Sequence, residues 1–234
     1  MNIFLKLLKC ITRPHFYKSY LRGVSPLFEL EPLFKNLYNI KTIIDIGSNK
    51  GQFSILAKYF FPNSKIYSFE PQKKYLNMQK DILKKKNIKY YNFGIGAKNG
   101  NKIFYITKRE DSSSFLKPID NQIGDYNSKY KKKVKIDKLE NIIKLNDIIN
   151  PSLIKLDIQG LELEALKGAR KLLRKINFII VEISYQKIYH NQVLNKELKT
   201  FLKKKNFIPI KEMNITKRNN KLFQKDILFK NINK

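Results

Sequence analysis

Acidic residues are scarce in this 234-residue chain: 19 Asp and Glu stand against 48 Lys and Arg, a formal charge of +29. Tryptophan is absent, cysteine occurs once and histidine twice. A single cysteine, Cys10, excludes a disulfide framework and a thiolate metal site. His15 and His190 are too far apart in sequence to suggest a zinc site, and no metal ligands are assigned, with a divalent ion at Asp157 left open because no second and third ligand can be read off. Arginine is rare as well, confined to positions 13, 22, 109, 170, 174 and 218. Bidentate recognition of phosphates and bases favours arginine. The positive excess is nearly all lysine, spread along the whole chain among Ile and Asn, so it reads as compositional bias rather than a nucleic-acid surface. Long apolar runs are missing too. The N-terminal MNIFLKLLKCI is too short to span a bilayer, Lys6 and Lys9 interrupt it, and no small-residue cleavage site follows. It reads as an amphipathic helix with Ile3, Phe4, Leu7, Leu8 and Ile11 on one side. Packing on the domain is the expectation, with peripheral contact of residues 1–11 to an anionic membrane as the alternative. The expected compartment is cytoplasmic.

What is present centres on Thr42 to Gly51, TIIDIGSNKG. Ile43, Ile44 and Ile46 form a short β-branched run suited to a buried strand. Gly47 and Gly51 bracket a turn, and Gln52 to Ala57 opens a helix. Such a junction brings free backbone N–H groups to one point and favours negative charge. Gly47 permits close approach of a ligand, and Asn49 tolerates left-handed backbone angles. A plain strand-to-helix turn is the alternative for this decapeptide alone. A second short strand, Lys65 to Phe69, ends in Glu70–Pro71, about 20 residues on, where a carboxylate can accept hydrogen bonds from ribose hydroxyls. The turn has no third glycine of the G-x-G-x-x-G kind, which counts against NAD. An S-adenosylmethionine pocket fits, since it needs a ribose acceptor and no pyrophosphate cradle.

The chain is long enough for one domain with an extension. Pro14, Pro26 and Pro32 divide residues 1–40 into short helices. From Lys41, strands and helices alternate: a helix at Gln72 to Lys86, a strand at Ile88 to Ile95, an Asn99–Gly100 turn, and an exposed strand at Lys102 to Thr107. Residues 108 to 131 are polar and irregular, a length that favours a lid or substrate-binding loop, with plain disorder as the alternative. Then follow a strand at Val134 to Ile136, a helix at Asn141 to Ile149, a strand at Leu153 to Ile158, a helix at 161–175 and a strand at Phe178 to Ile183. A helix at 195–205 and strands near 207–212 and 226–230 close the chain. This alternation predicts an open α/β sheet of seven mostly parallel strands, helices on both faces and an antiparallel strand at one edge. Residues 1–40 are read as an added helical extension and residues 41–234 as the main α/β domain.

Ligands of open α/β sheets lie beyond the carboxyl ends of the strands. Asp45, Glu70, Asp157 and Glu182 all fall in or at the ends of predicted strands, and a buried carboxylate needs a partner. Around these positions the chain resembles a known family. Asp45–Ile46–Gly47–Ser48–Asn49–Lys50–Gly51, Phe69–Glu70–Pro71 and Gly94–Ile95–Gly96–Ala97–Lys98–Asn99–Gly100 are similar to successive blocks of the FkbM family of S-adenosylmethionine-dependent methyltransferases. The most specific block is Ile154–Lys155–Leu156–Asp157–Ile158–Gln159–Gly160–Leu161–Glu162, followed by Leu166–Lys167–Gly168–Ala169. Val181–Glu182–Ile183 and Ile188–Tyr189–His190–Asn191–Gln192 resemble the closing segments. The resemblance spans about residues 41–212.

The resemblance implies a class I methyltransferase fold, S-adenosylmethionine as cofactor and, usually, O-methylation of a hydroxyl on a surface-glycan sugar or a secondary metabolite. It implies that Gly47, Ser48, Asn49 and Gly51 line the methionine end of the cofactor. Asp45 would hold that loop or the amino group, and Glu70 would take the ribose. Asp157 would face the transferring methyl as base, held by Lys155 or Glu162, with His190 as the other candidate. Two rivals are a nucleic-acid methyltransferase on the same fold, motivated by the charge, and a non-catalytic protein of this fold.

Overall fold

The computed structural model describes residues 3–84, 86–119 and 126–234. Three short helices come first: α1 (Ile3–Ile11), α2 (Tyr17–Leu21) and α3 (Glu31–Phe34). Then strands and helices alternate through β1 (Thr42–Ile46), α4 (Gln52–Phe60), β2 (Lys65–Phe69), α5 (Lys73–Leu83) and β3 (Ile88–Tyr91). An excursion follows, made of β4 (Gly94–Ile95), β5 (Gly100–Thr107), β6 (Ser128–Asp137) and α6 (Leu139–Ile142). The chain returns with β7 (Ser152–Leu156), α7 (Glu162–Lys167), β8 (Phe178–Ser184), α8 (Asn195–Lys203), β9 (Phe207–Arg218) and β10 (Lys221–Asn231).

Among the described residues, seven strands form the main sheet in the order β3-β2-β1-β7-β8-β10-β9. The first five pair in parallel, and β10 runs antiparallel to both β8 and β9. The antiparallel strand is therefore one place in from the edge rather than at it. The α8 crossover carries β9 past one empty position, and the β9–β10 hairpin folds back into the gap. Its two-residue turn is Asn219–Asn220, both at positive φ as such a turn requires.

Strand alternation sorts the apolar residues onto two faces. Ile44, Ile46, Ile154, Leu156, Ile179 and Val181 face a core completed by α6, α7 and α8. Ile43, Ile66, Leu153 and Ile180 face the other, where α4 and α5 meet the N-terminal segment through Phe16, Phe28, Leu33 and Phe34. The extension is thus built into the second core.

Several boundaries differ from the sequence expectation. The strand expected over Ile88 to Ile95 divides, because β4 leaves the main sheet and pairs with β6 in a separate three-stranded sheet, β4-β6-β5. Asn92 marks the break, donating from its amide to the Glu70 carbonyl at 3.0 Å. Residues 128 to 131, read as the end of a polar loop, belong to the long strand β6. Residues 120–125 of that loop lie outside the described residues. The helix expected over 161–175 is α7 and then a 3-10 turn, Leu172–Lys175. Gly168 separates them, with its backbone against Gly96: a Cβ there would lie 2.0 Å from the Gly96 carbonyl oxygen. The helix expected over Asn141 to Ile149 is likewise α6 and a 3-10 turn, Leu145–Asp147.

Candidate active site

At the carboxyl end of β1 the chain turns through three left-handed residues, Gly47 (φ 79°), Asn49 (φ 46°) and Gly51 (φ 86°). Gly51 is the N-cap of α4. Gly47 has no room for a side chain, since a Cβ would stand 2.0 Å from the carbonyl oxygen of Asp157. The β1–α4 and β7–α7 loops therefore touch backbone to backbone.

Glu70, just beyond the tip of β2, is buried and clamps the turn. Its carboxylate accepts the Asn49 N–H at 2.8 Å and the Gln72 N–H at 2.7 Å. Burial pushes its pKa up to about 7, with those two hydrogen bonds pulling the other way. Each oxygen keeps acceptor capacity toward the cavity it lines, alongside Gly47, Asn49, Phe69, Phe93 and Phe115. Asn49 Oδ1 is buried there with no protein partner, an acceptor left over for a ligand donor. A left-handed backbone turn, an orphan acceptor, an acidic strand tip and an aromatic wall together fit an adenosine cofactor carrying an amino-acid tail.

Two of the expected cofactor residues act from behind this surface. The Ser48 hydroxyl is turned inward, 2.8 Å from Ser68 Oγ, and accepts from Gln79 Nε2 at 2.8 Å. Only its backbone remains for a ligand. Asp45 is fully buried on β1 and accepts the Ser54 hydroxyl of α4 at 2.7 Å. Burial raises its pKa, and Lys155, its register neighbour on β7, opposes the rise. Asp45 therefore ties strand to helix and fixes the turn between them.

Asp157 lies one residue past the end of β7, in the loop rather than in the strand. Its Oδ2 is 3.2 Å from Lys155 Nζ, and its Oδ1 accepts from Gln159 Nε2 at 3.0 Å. Lys155 is buried on the strand, and its pKa is raised by the Asp157 and Asp45 carboxylates against the opposing effect of burial. Glu162, proposed from sequence as a holder of Asp157, instead clamps the loop backbone, accepting the N–H groups of Ile158 at 3.2 Å and Gly160 at 3.0 Å. Burial lifts its pKa to about 7.

A second cavity of about 440 Å³ adjoins the first. Lys155, Asp157 and Gln159 line both. Its floor is acidic. Glu182 at the end of β8 accepts from Gln224 Nε2 at 2.7 Å, and burial followed by the Asp157 and Asp226 carboxylates holds its pKa well above the ordinary range. Asp226 on β10 accepts from Asn214 at 2.6 Å, and burial carries it to about 6. Arg109 and Asp111 close the rim as an ion pair at 2.8 Å.

His190 does not join this group. Its side chain is exposed and lines neither cavity, while its backbone N–H bonds the Lys117 carbonyl at 2.8 Å. Its neighbour Tyr189 points inward instead, fully buried, donating to the Ser112 carbonyl at 2.6 Å and lying 3.0 Å from Gln159 Oε1. Ser114 also bonds the Gln159 carbonyl, at 2.7 Å. The described part of the polar loop is thus pinned across the site by Tyr189 and Gln159. Gln159, Tyr189 and Asp226 were not picked out as site residues from sequence. Gln159 sits in the quoted signature block, just before Gly160, and its positive φ (55°) is visible only in the structure. Asp226 had no local cue, since it reaches the site only through the hairpin's insertion.

A sheet of this order, with its glycine turn after the first strand and an acidic residue at the tip of the second, defines a class I methyltransferase fold. The family model described as Methyltransferase FkbM domain matches residues 45–209, and the chain belongs to that family. Hexuronic acid methyltransferase AglP of Haloferax volcanii is 39% identical over 44 residues, a match covering 19% of this chain and 18% of that protein. Among solved structures, Streptococcus pneumoniae Sp1610 in complex with S-adenosyl-L-methionine has a TM-score of 0.52 at 11% identity, over 88% of this chain and 73% of that one. M. capricolum TrmK in complex with S-adenosyl-homocysteine has a TM-score of 0.49 at 15% identity, over 88% and 68%.

Proposed function

We propose that this methyltransferase binds S-adenosylmethionine between the Gly47–Gly51 turn and Glu70 and transfers its methyl group to a hydroxyl oxygen held in the second cavity. Residues 41–234 form the catalytic domain in this reading, and residues 1–40 an added layer. The observation that carries it is the position of Asp157, which lines both cavities where they meet.

The bound cofactor supplies a sulfonium methyl, so no further electrophile is needed. The protein must align the acceptor and remove its proton. Lys155 and Gln159 each hold one Asp157 oxygen, on a side chain that lines both cavities. Asp157 would accept the proton of the acceptor hydroxyl, with S-adenosylhomocysteine as the leaving group. Glu182, Gln224 and Asn214 offer further hydrogen-bond partners for a polyhydroxylated acceptor, and Phe223 and Tyr126 supply an apolar wall on which a sugar ring can stack.

The charge of the cavity argues against a nucleic-acid acceptor. Arg109 and Lys155, the two cations lining it, are already paired with Asp111 and Asp157, and Asp226 and Glu182 add acidic groups with no cation of their own among the described residues, although the chain has more than twice as many basic as acidic residues. A phosphodiester would meet repulsion where the acceptor must enter. A glycan sugar without an anionic substituent near the acceptor hydroxyl suits it better than a polyanion does.

Asp157→Asn tests the chemistry, read as S-adenosylhomocysteine release with a panel of glycosides. Turnover should fall by about 10²–10⁴ while cofactor affinity is retained. Near-normal turnover by folded, cofactor-loaded variant would remove the proton-accepting role from Asp157.

A further inference from the structure

Helix α1 is turned opposite to the usual surface helix, which buries its apolar stripe. Its cations face the protein: Lys6 pairs with Glu29 at 2.5 Å, Lys9 with Glu31 at 2.5 Å, and Arg13 just beyond the helix with Glu31 at 2.9 Å. Cys10 is its buried residue. Its apolar side chains face out, with Ile3 83%, Phe4 67% and Ile11 52% exposed, and Leu5 and Leu8 nearly half exposed. The adjoining α2 continues the pattern, with Leu21 82% exposed and Tyr17 and Tyr20 nearly half exposed. Sequence patterning expected this face to pack on the domain. The ion pairs with Glu29 and Glu31 hold it away.

We infer that the outward face of α1 and α2 docks on an anionic lipid surface. The apolar stripe supplies the area that enters the headgroup boundary, and Tyr17 and Tyr20 are the side chains favoured at that depth. Charge chooses the occupant. Five cations, Lys6, Lys9, Arg13, Lys18 and Arg22, meet three carboxylates, Glu29, Glu31 and Asp81, so the segment keeps a positive excess within a chain of formal charge +29. Lys18 and Arg22 share one carboxylate, Asp81, at 3.9 and 2.8 Å, and remain about half exposed beside the face. A second copy of the chain would bring +29 against +29, whereas anionic headgroups complement it. Among the described residues no helix is long and apolar enough to cross a membrane, so the contact lies in the interface plane.

The test is flotation of the full chain with phosphatidylcholine vesicles, with and without phosphatidylglycerol, beside the double variant Phe4→Asp, Leu8→Asp. Both substituted positions are exposed, and thermal melting confirms that the variant folds. The wild type should float with the anionic vesicles, and the double variant should bind them about tenfold more weakly or worse. Three results would overturn the inference. They are absence of flotation, equal flotation of the double variant (binding by dispersed lysines alone), and a wild-type dimer in sedimentation that the variant dissolves without any vesicle binding.

Discussion

Replacing Gly47 by alanine puts a Cβ 2.0 Å from the Asp157 carbonyl oxygen and 2.8 Å from the Ile158 side chain, at a residue with φ of 79°. Two penalties add there. A left-handed conformation costs a residue with a Cβ about 1–2 kcal/mol, and displacing a packed backbone costs roughly 1–3 kcal/mol more. Gly23 separates them, because it has a similar φ of 68° and nothing within 4 Å of its would-be Cβ. Gly23→Ala should therefore lose only the conformational part, about 1 kcal/mol once the stiffer unfolded chain is counted. Gly47→Ala should lose roughly 2–5 kcal/mol in urea unfolding. It should also weaken S-adenosylmethionine, since the atoms that must move separate the Gly47 turn from the Asp157 loop. Equal losses in the two variants, or wild-type cofactor affinity in Gly47→Ala, would show that these loops do not meet as described.

Glu70 makes stability depend on pH. Its carboxyl is raised from 4.5 to about 7 in the folded protein, so the folded state holds the proton more tightly, and stability falls as pH rises from about 4.5 through 7. Measured against Glu70→Gln, the wild type should lose about 3 kcal/mol between pH 4 and 8, and a difference that does not change with pH would refute the shift. Tyr189→Phe should leave the buried Ser112 carbonyl short of a donor and release Gln159. The expected cost is about 1–2 kcal/mol in unfolding, with turnover falling more than cofactor affinity. Unchanged turnover would show that pinning the polar loop does not matter.

Sequence patterning reached the parallel part of the fold because each strand is a short run rich in apolar or aromatic residues with its own turn. Ile43, Ile44 and Ile46 need no distant partner to be read as a buried strand. The excursion through β4, β5 and β6 was less legible, because β6 is mostly lysine on its exposed positions and has few apolar residues to show a period. The glycine turn and Glu70 were visible for the same local reason, as an acidic residue at a strand tip after a turn of small residues. Side-chain direction was not visible. Ser48 and Asp45 belong to the right segments but face Gln79 and Ser54, and His190 faces solvent while Tyr189, one residue earlier, is buried against Gln159. Such choices depend on packing partners far away in the chain, as does the arrival of Asp226 beside Glu182 through an inserted hairpin.

The central claim, that S-adenosylmethionine sits between the Gly47–Gly51 turn and Glu70, is tested most directly by calorimetric titration of the wild type and of Glu70→Ala with that cofactor. One molecule should bind per wild-type chain, and the variant should lose about 1–3 kcal/mol of binding free energy through the missing charged acceptor. No binding to the wild type, or equal affinity in both proteins, would contradict it.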